Sequence, residues 1–541
     1  MARLSEVDTG NAEVRVDSLW SVLQRGIDFN PNRVALIAPS QPANHLQGLV
    51  GPATSSADYP TLPFAQARRA AAQITSVFSV GYLVSLLAPA PASLDCLTWS
   101  FAQLRRASAR LGYVLDANHI MPGATILVLV PSCAEWALLL WVSALKCCTL
   151  VTLDTTVLEP GHEQELQSYI EILAPSVIVA RNQDDATAVE RFRRKDKCPF
   201  MGLSLGHLAE PQQGWTSMED ISAMSFPGNI KAEPAMDTLD RVATIIFTSG
   251  TSTGSPKGCL RTVRDLVCPL DPSKVPPPLR PPIALVNTRN YLGIAPCLLY
   301  ASWYTGNAAV LVGGSFSPAT TLSAIATCRP IAISIAYPMI LGLIVGHAEY
   351  SREKVRSVRY VQIIGSVTTV EGLRRAQEVF PNAKIVASYG MTEAASMFGW
   401  PQGPPKSQDI PSFRGIAASG TALPGIKLKI VDEKGHVLGR NEPGVLHLSG
   451  NTVTKGYLGG MGAEAFYRDN DSRWYITGDC AVLDDRGRIY ILGRSDDMIR
   501  NDGITIAPAT IENLLMKHFQ STVCAPFLGF VLLFPGFNFG V

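Results

Sequence analysis

Thr248-Ser249-Gly250-Thr251-Ser252-Thr253-Gly254-Ser255-Pro256-Lys257-Gly258 follows directly on the apolar run Thr244-Ile245-Ile246-Phe247. That run reads as a buried strand, so the loop is predicted to leave a strand end. Its glycines permit positive φ angles and close backbone approach, letting successive N–H groups converge on one anion. The Ser and Thr hydroxyls add donors, and Lys257 adds a compact positive charge. Polyphosphate is the ligand this chemistry suits. A flexible Gly/Ser turn has the same composition, and the loop alone does not separate the two. A Walker loop is excluded, because Pro256 stands where GxxxxGK[ST] needs glycine.

Outward from the loop, helical and strand-like patterns alternate. Leu97 to Leu115 reads as an amphipathic helix, Ala124 to Val130 as a strand after the turn Met121-Pro122-Gly123, and Cys133 to Leu145 as a helix. Strands are predicted at Arg241 to Thr248, Arg359 to Ile364 and Lys384 to Ala387, a helix at Val370 to Phe380, and a strand followed by a helix over Pro330 to Val345. The expected fold class is α/β, with stacked layers and parallel, doubly wound strands. From Gly425 the pattern changes to short alternating strands, Lys427 to Val431, Gly444 to Leu448 and Arg488 to Leu492, which predicts a β-rich subdomain. The apolar run Ala137 to Leu153 is interrupted by Lys146 and reads as core in preference to a membrane span. A proline-dense excursion lies between Asp271 and Pro282.

Three further segments make chemical sense beside the loop: Ser388-Tyr389-Gly390-Met391-Thr392-Glu393, Trp474-Tyr475-Ile476-Thr477-Gly478-Asp479, and Gly493-Arg494-Ser495-Asp496-Asp497 running to Gly503. A tyrosine at a strand end offers a flat face for a purine, and a carboxylate beside a hydroxyl suits magnesium with phosphate. A core-lining Tyr and a turn-stabilising Asp are the plainer alternatives. Together with the loop, in this order and rough spacing, the segments resemble the adenylate-forming enzymes: acyl-CoA synthetases, aryl-CoA ligases, luciferases and peptide-synthetase adenylation domains.

The resemblance implies an ATP site. Thr248 to Gly254 and Lys257 would cradle the phosphates, Tyr389 with Gly390 would stack on adenine, and Thr392 would touch the α-phosphate. Glu393 would hold Mg²⁺, Asp479 the ribose hydroxyls, and Arg494 the ribose or phosphate. Gly365-Ser366 would be the turn near adenine and the acyl group, and Asp496 the hinge to a small C-terminal domain. Lys257, Thr392, Glu393 and Arg494 would be the catalytic set. The implied reaction forms an acyl-adenylate from a carboxylic acid and ATP, then a thioester with CoA or a carrier-protein phosphopantetheine. Loading a carrier in trans, or nucleotide binding without turnover, remain alternatives. The acid pocket is expected from Pro296 to Trp303, Ile335 to Leu341 and Gly365 to Thr368, with Tyr300, Trp303, Tyr337 and Gly365 lining it. Those apolar and aromatic residues suit a fatty or aromatic acid.

The chain departs from the family in places. Residues 41–96 match nothing in it and read as an atypical insertion between a first segment, 1–40, and an AMP-binding core, 97–424; the β-rich subdomain then spans 425–493. Residues 494–541 read as a hinge and shortened C-terminal domain, because Lys517 is the last lysine and lies too early to be the family's C-terminal catalytic lysine. The stretch Cys524 to Val541 is apolar, but Pro526 and Pro535 favour truncation over a tail anchor. Arg500 replaces a family lysine, and Thr510 stands where glutamate is usual.

Composition closes off other classes. Nearly half the residues are hydrophobic, which excludes a disordered chain, and a net charge of +1 gives no general attraction to nucleic acid. The basic run Arg191, Arg193, Arg194, Lys195 and Lys197 reads as a solvated helix face. The eleven cysteines have no ligand spacing, and the acidic N-terminus has no signal-peptide stretch. A cytoplasmic protein is expected, with a peroxisomal location left open and membrane contact disfavoured.

Overall fold

Parallel strands covered on both faces read as nearly continuous apolar runs, as the wholly buried Val177–Ala180 and Ala308–Leu311 do in two sheets here. The computed structural model describes residues 3–52, 96–192, 200–210, 213–248, 256–270, 283–314, 316–336, 339–395, 397–400, 405–406, 409–469, 472–501 and 504–518. The first sheet runs Lys257–Thr262, Val242–Thr248, Thr149–Thr152, Thr125–Leu129, Val177–Ala180, Met201–Ser204, Trp215–Ser217. Only its first pair is antiparallel. The second runs Lys384–Ala387, Tyr360–Ile364, Ala332–Ala336, Ile283–Val286, Ala308–Leu311, Val34–Ala38, Leu97–Ser100, and only its last pair is antiparallel. The expected α/β layers are therefore present.

A helix buried on every side lies in the main core. Ala134–Lys146 buries every position but its last, and its Trp141 packs against Trp20, Phe101 and Trp303. Cys147 then takes a left-handed conformation that ends the helix, and the chain enters strand Thr149–Thr152. The apolar run 137–153 is thus a core helix and strand. No helix among the described residues is long and apolar enough to cross a membrane.

One boundary differs from expectation. Residues 97–100 are a strand paired with Val34–Ala38, and the helix begins at Phe101. Ser100 sets that start: its side chain accepts from Gln103 N while the Gln103 side chain accepts from Ser100 N, satisfying two backbone donors at the helix end.

Segment 41–96 joins the core at its beginning. Gln41 caps the buried helix by accepting from Ala134 N at 2.7 Å, and Arg106 and Arg110 donate to the carbonyls of Gly48, Leu49 and Val50. Residues 53–95, the basic positions 193–197, the proline-dense 271–282 and the tail 519–541 lie outside the described residues.

The third sheet is antiparallel: Glu6–Asp8, Ile426–Val431, Gly444–Gly450, Arg473–Leu483, Phe466–Arg468, with Ile489–Arg494 also on Arg473–Leu483. Its inward face alternates as a half-buried sheet should, with Ile426, Leu428 and Ile430 buried. Helix Pro508–His518 follows, and its Asn513 accepts from Glu371 N at 3.1 Å.

Candidate functional site

The phosphate-loop candidate is the connection of a hairpin. Val242–Thr248 and Lys257–Thr262 pair antiparallel with Thr248 opposite Lys257. Ser249, Gly250, Thr251, Ser252, Thr253 and Gly254 lie outside the described residues. Lys257 is mostly buried; its ammonium lies 5.6 Å from the centre of the Tyr457 ring and 3.9 Å from the Glu464 carboxylate.

The second and third motifs meet through the sheets. Strand Lys384–Ala387 neighbours Tyr360–Ile364 in parallel register, so the turn Gly365-Ser366 and the segment Ser388-Tyr389 leave adjacent strand ends. The Gly365 φ of 78° is left-handed, which favours glycine there. Both Gly365 and Ser366 are exposed, as is Gly390. Tyr389 stacks on Phe398 with ring centres 5.5 Å apart and donates its hydroxyl to Asp479 Oδ2 at 2.6 Å. Asp479 and Arg494 are direct partners across paired strands, with Arg494 Nη1 3.3 Å from Asp479 Oδ1 and 2.9 Å from the Thr477 carbonyl it donates to. Burial raises the Asp479 carboxyl above its ordinary value, opposed by Arg494 and Tyr389. Burial, and then Asp479 itself, hold the Tyr389 hydroxyl well above the usual phenol range.

Thr392 packs against the hairpin, and Glu393 follows it. The Thr392 carbonyl accepts from Arg261 Nη1 at 2.8 Å and from Cys259 Sγ at 3.4 Å. Burial pushes the Cys259 thiol up to about 12, so it stays a neutral donor. Glu393 is buried, and Tyr457 donates to its Oε1 at 2.6 Å, with the Tyr475 hydroxyl 3.5 Å further on. No cation among the described residues pairs with Glu393, and no cluster of three metal-ligating side chains is found among them. A buried carboxylate that accepts from a neutral hydroxyl and forms no ion pair among the described residues fits Mg²⁺, which completes its shell with phosphate and water oxygens.

Two predicted pocket residues belong elsewhere. Helix Ile294–Tyr304 buries Tyr300 and Trp303 in the main core, where Tyr300 donates to the Leu140 carbonyl at 3.3 Å and Trp303 Nε1 to the Ala35 carbonyl at 3.1 Å. The partly open stripe of this helix is Ile294, Cys297, Leu298 and Ala301, at the spacing of one helical face. Gly293, before it, brings the helix start against Ile246 and Thr392. Trp303→Ala should therefore destabilise the fold by about 3–5 kcal/mol, as large core deletions do. A denaturant titration showing an unchanged midpoint would contradict this placement. Tyr337 lies outside the described residues.

Three further residues complete the set without having been singled out in the sequence, Arg261, Phe398 and Tyr457; Tyr475 lies in a quoted motif but was given no role there. A second cation in the short strand that follows the loop, and an aromatic after Lys455-Gly456, are the signals that point to the first and third.

The chain matches the AMP-binding enzyme family over residues 88–458. It is 32% identical over 408 residues to an acyl-CoA ligase of Pestalotiopsis microspora, covering 74% of this chain and 70% of that one. To 4-coumarate–CoA ligase 4 of Arabidopsis thaliana it is 28% identical over 418 residues, covering 74% and 69%. The fold superposes on the anthranilate CoA ligase AuaEII in complex with anthranoyl-AMP with a TM-score of 0.70 at 18% identity, over 95% of this chain and 85% of that one. With its two α/β layers, its β-rich subdomain and its motifs converging at the strand ends, the chain belongs to the adenylate-forming, AMP-binding enzyme family.

Proposed function

We propose that this chain is an acid–thiol ligase that activates a carboxylic acid with ATP and transfers the acyl group to CoA. The observation that supports this most is that Tyr389, which leaves the end of Lys384–Ala387, meets Asp479 and Arg494, while Thr392 and Glu393 in the same turn region meet the strand of Lys257 and its neighbour Tyr457. In open α/β sheets ligands bind at the carboxyl ends of the strands.

The Tyr389 ring, backed by Phe398, is the adenine platform, and Asp479 accepts from the ribose hydroxyls with Arg494 beside it. An oxygen of the substrate carboxylate attacks the α-phosphorus, the bond to the β-phosphate breaks, and pyrophosphate departs. Thr392 donates to the α-phosphate, and Lys257 stabilises charge on the leaving pyrophosphate. A magnesium ion held by Glu393 would neutralise charge on the phosphates. In the second half the CoA sulfur attacks the acyl carbon and AMP leaves, the enzyme reorienting about Asp496 between the steps.

The apolar stripe Ile294, Cys297, Leu298 and Ala301 suits a fatty or aromatic acid. The names of the relatives, an acyl-CoA ligase and 4-coumarate–CoA ligases, favour CoA over a carrier thiol. The test is carboxylate-dependent ATP–pyrophosphate exchange, screened across fatty, aryl and amino acids, followed by CoA-dependent AMP release. Exchange with one acid class and release that needs CoA are expected. Transfer only to carrier phosphopantetheine would replace CoA as the acceptor, and ATP binding without exchange for any acid would reduce the chain to a nucleotide-binding protein.

A further inference from the structure

Arg261 is a charged side chain one residue before the end of strand Lys257–Thr262, 4% exposed, and the chemistry above does not use it. Side chains alternate along a strand, so Lys257, Cys259 and Arg261 share one face. That face turns toward the nucleotide side of the molecule. Lys257 lies against Tyr457, while Cys259 and Arg261 both reach the Thr392 carbonyl.

The turn that bears Thr392 closes on itself: Met391 N donates to the Ala394 carbonyl at 2.9 Å and Ala394 N to the Met391 carbonyl at 3.2 Å. The Thr392 carbonyl lies outside this pair, and a carbonyl removed from water needs a partner. One strand face supplies both of its donors. Arg261 is itself held by Asp265, with Nε 3.5 Å from Oδ2 and Nη2 donating to the Asp265 carbonyl at 3.4 Å. Asp265 is fixed in turn by Thr262, whose N donates to Oδ2 at 2.8 Å and whose hydroxyl donates to Oδ1 at 2.6 Å. Apolar residues would fill this space at less electrostatic cost than a buried ion pair, so its value lies in what the pair orients.

We propose that Arg261 is a positioning residue for the magnesium–nucleotide end of the site. It clamps the Thr392 carbonyl, and through that peptide unit it aims the Thr392 hydroxyl and the Glu393 carboxylate. The strand that presents Lys257 is thereby tied to the turn that presents Thr392 and Glu393. The proposal rests on the ATP-site reading above and adds to it a residue that touches neither ATP nor metal.

The test uses Arg261→Lys and the double variant Arg261→Leu/Asp265→Asn, which removes both charges together so that neither is left buried alone. ATP is titrated calorimetrically in Mg²⁺ and in EDTA, beside a thermal unfolding scan and the exchange assay. In the double variant the gain in ATP affinity from Mg²⁺ should fall about 10-fold, as when an outer partner of a metal ligand is removed, while affinity in EDTA holds. Arg261→Lys should recover part of it. The kcat for exchange should fall with the KM for the acid unchanged. A folded double variant that keeps the full Mg²⁺ gain overturns the proposal. So does an equal loss with and without Mg²⁺, or unfolding of both variants, each of which makes Arg261 a support of the fold alone. A wild-type chain that shows the Mg²⁺ gain but no exchange sinks the ligase reading, and the titration still judges Arg261. A wild-type chain without that gain sinks both.

Discussion

Replacing Lys257 with alanine is expected to lower kcat for acid-dependent ATP–pyrophosphate exchange about 10²- to 10³-fold, the loss typical when one preorganised charge-stabilising donor is removed. In the proposed reaction the negative charge that grows most is on pyrophosphate, and Lys257 stands at the mouth of the hairpin loop that would enclose it. The fold should tolerate the change. Lys257 contributes a cation–π contact with Tyr457 and a long ion pair to Glu464, whose side chain is 77% exposed, and such contacts are each worth about 1 kcal/mol or less. AMP lacks the groups that Lys257 serves, so AMP affinity should stay near wild type. Unchanged exchange kinetics would remove Lys257 from the chemistry. A matching loss of AMP affinity would place it on the nucleoside.

What the sequence revealed and what it hid follow from how local each determinant is. Lys384–Ala387 occurs as expected, and Tyr360–Ile364 and Val370–Val379 differ from expectation by one residue, because a short apolar strand and a helix capped by Thr369 signal themselves locally. Leu97–Ser100 was legible only as an apolar stretch continuous with the helix after it; its extended form comes from pairing with Val34–Ala38, a partner far off in the chain. The misplacement of Tyr300 and Trp303 has a related cause. Helix Ile294–Tyr304 is apolar nearly all round, so its sequence does not say which face is inside, and Trp141 and Ala35 decide it. The motifs of the site were readable because each is a run of adjacent residues. Their joining was not: Tyr389 meets Asp479 across 90 positions, and Arg261 meets Thr392 across 131. The strand Glu6–Asp8, completing a sheet whose other members begin at Ile426, was hidden for the same reason.

Asp479→Asn should raise the KM for ATP about 10- to 100-fold and erode the preference for ATP over 2′-deoxyATP. The substitution keeps the shape and one acceptor oxygen but removes the charge. Hydrogen bonds to a charged group are each worth about 1.5–3 kcal/mol, and about 1.4 kcal/mol is tenfold in affinity. The site should absorb the change structurally, because Arg494 is 57% exposed and can return to water, and the Tyr389 hydroxyl keeps an amide oxygen to donate to. Tyr389→Phe is the companion variant. It preserves the ring against Phe398 and removes only the hydroxyl, so the KM for ATP should move less than in Asp479→Asn and the 2′-hydroxyl preference should survive. These two outcomes separate the roles of a coupled pair. If Asp479→Asn weakened ATP and 2′-deoxyATP equally, Asp479 would act on the nucleotide only by holding the Tyr389 ring, and the ribose would have to find its acceptor elsewhere. Loss of the 2′-hydroxyl preference in Asp479→Asn alone would place that acceptor at the carboxylate facing Arg494.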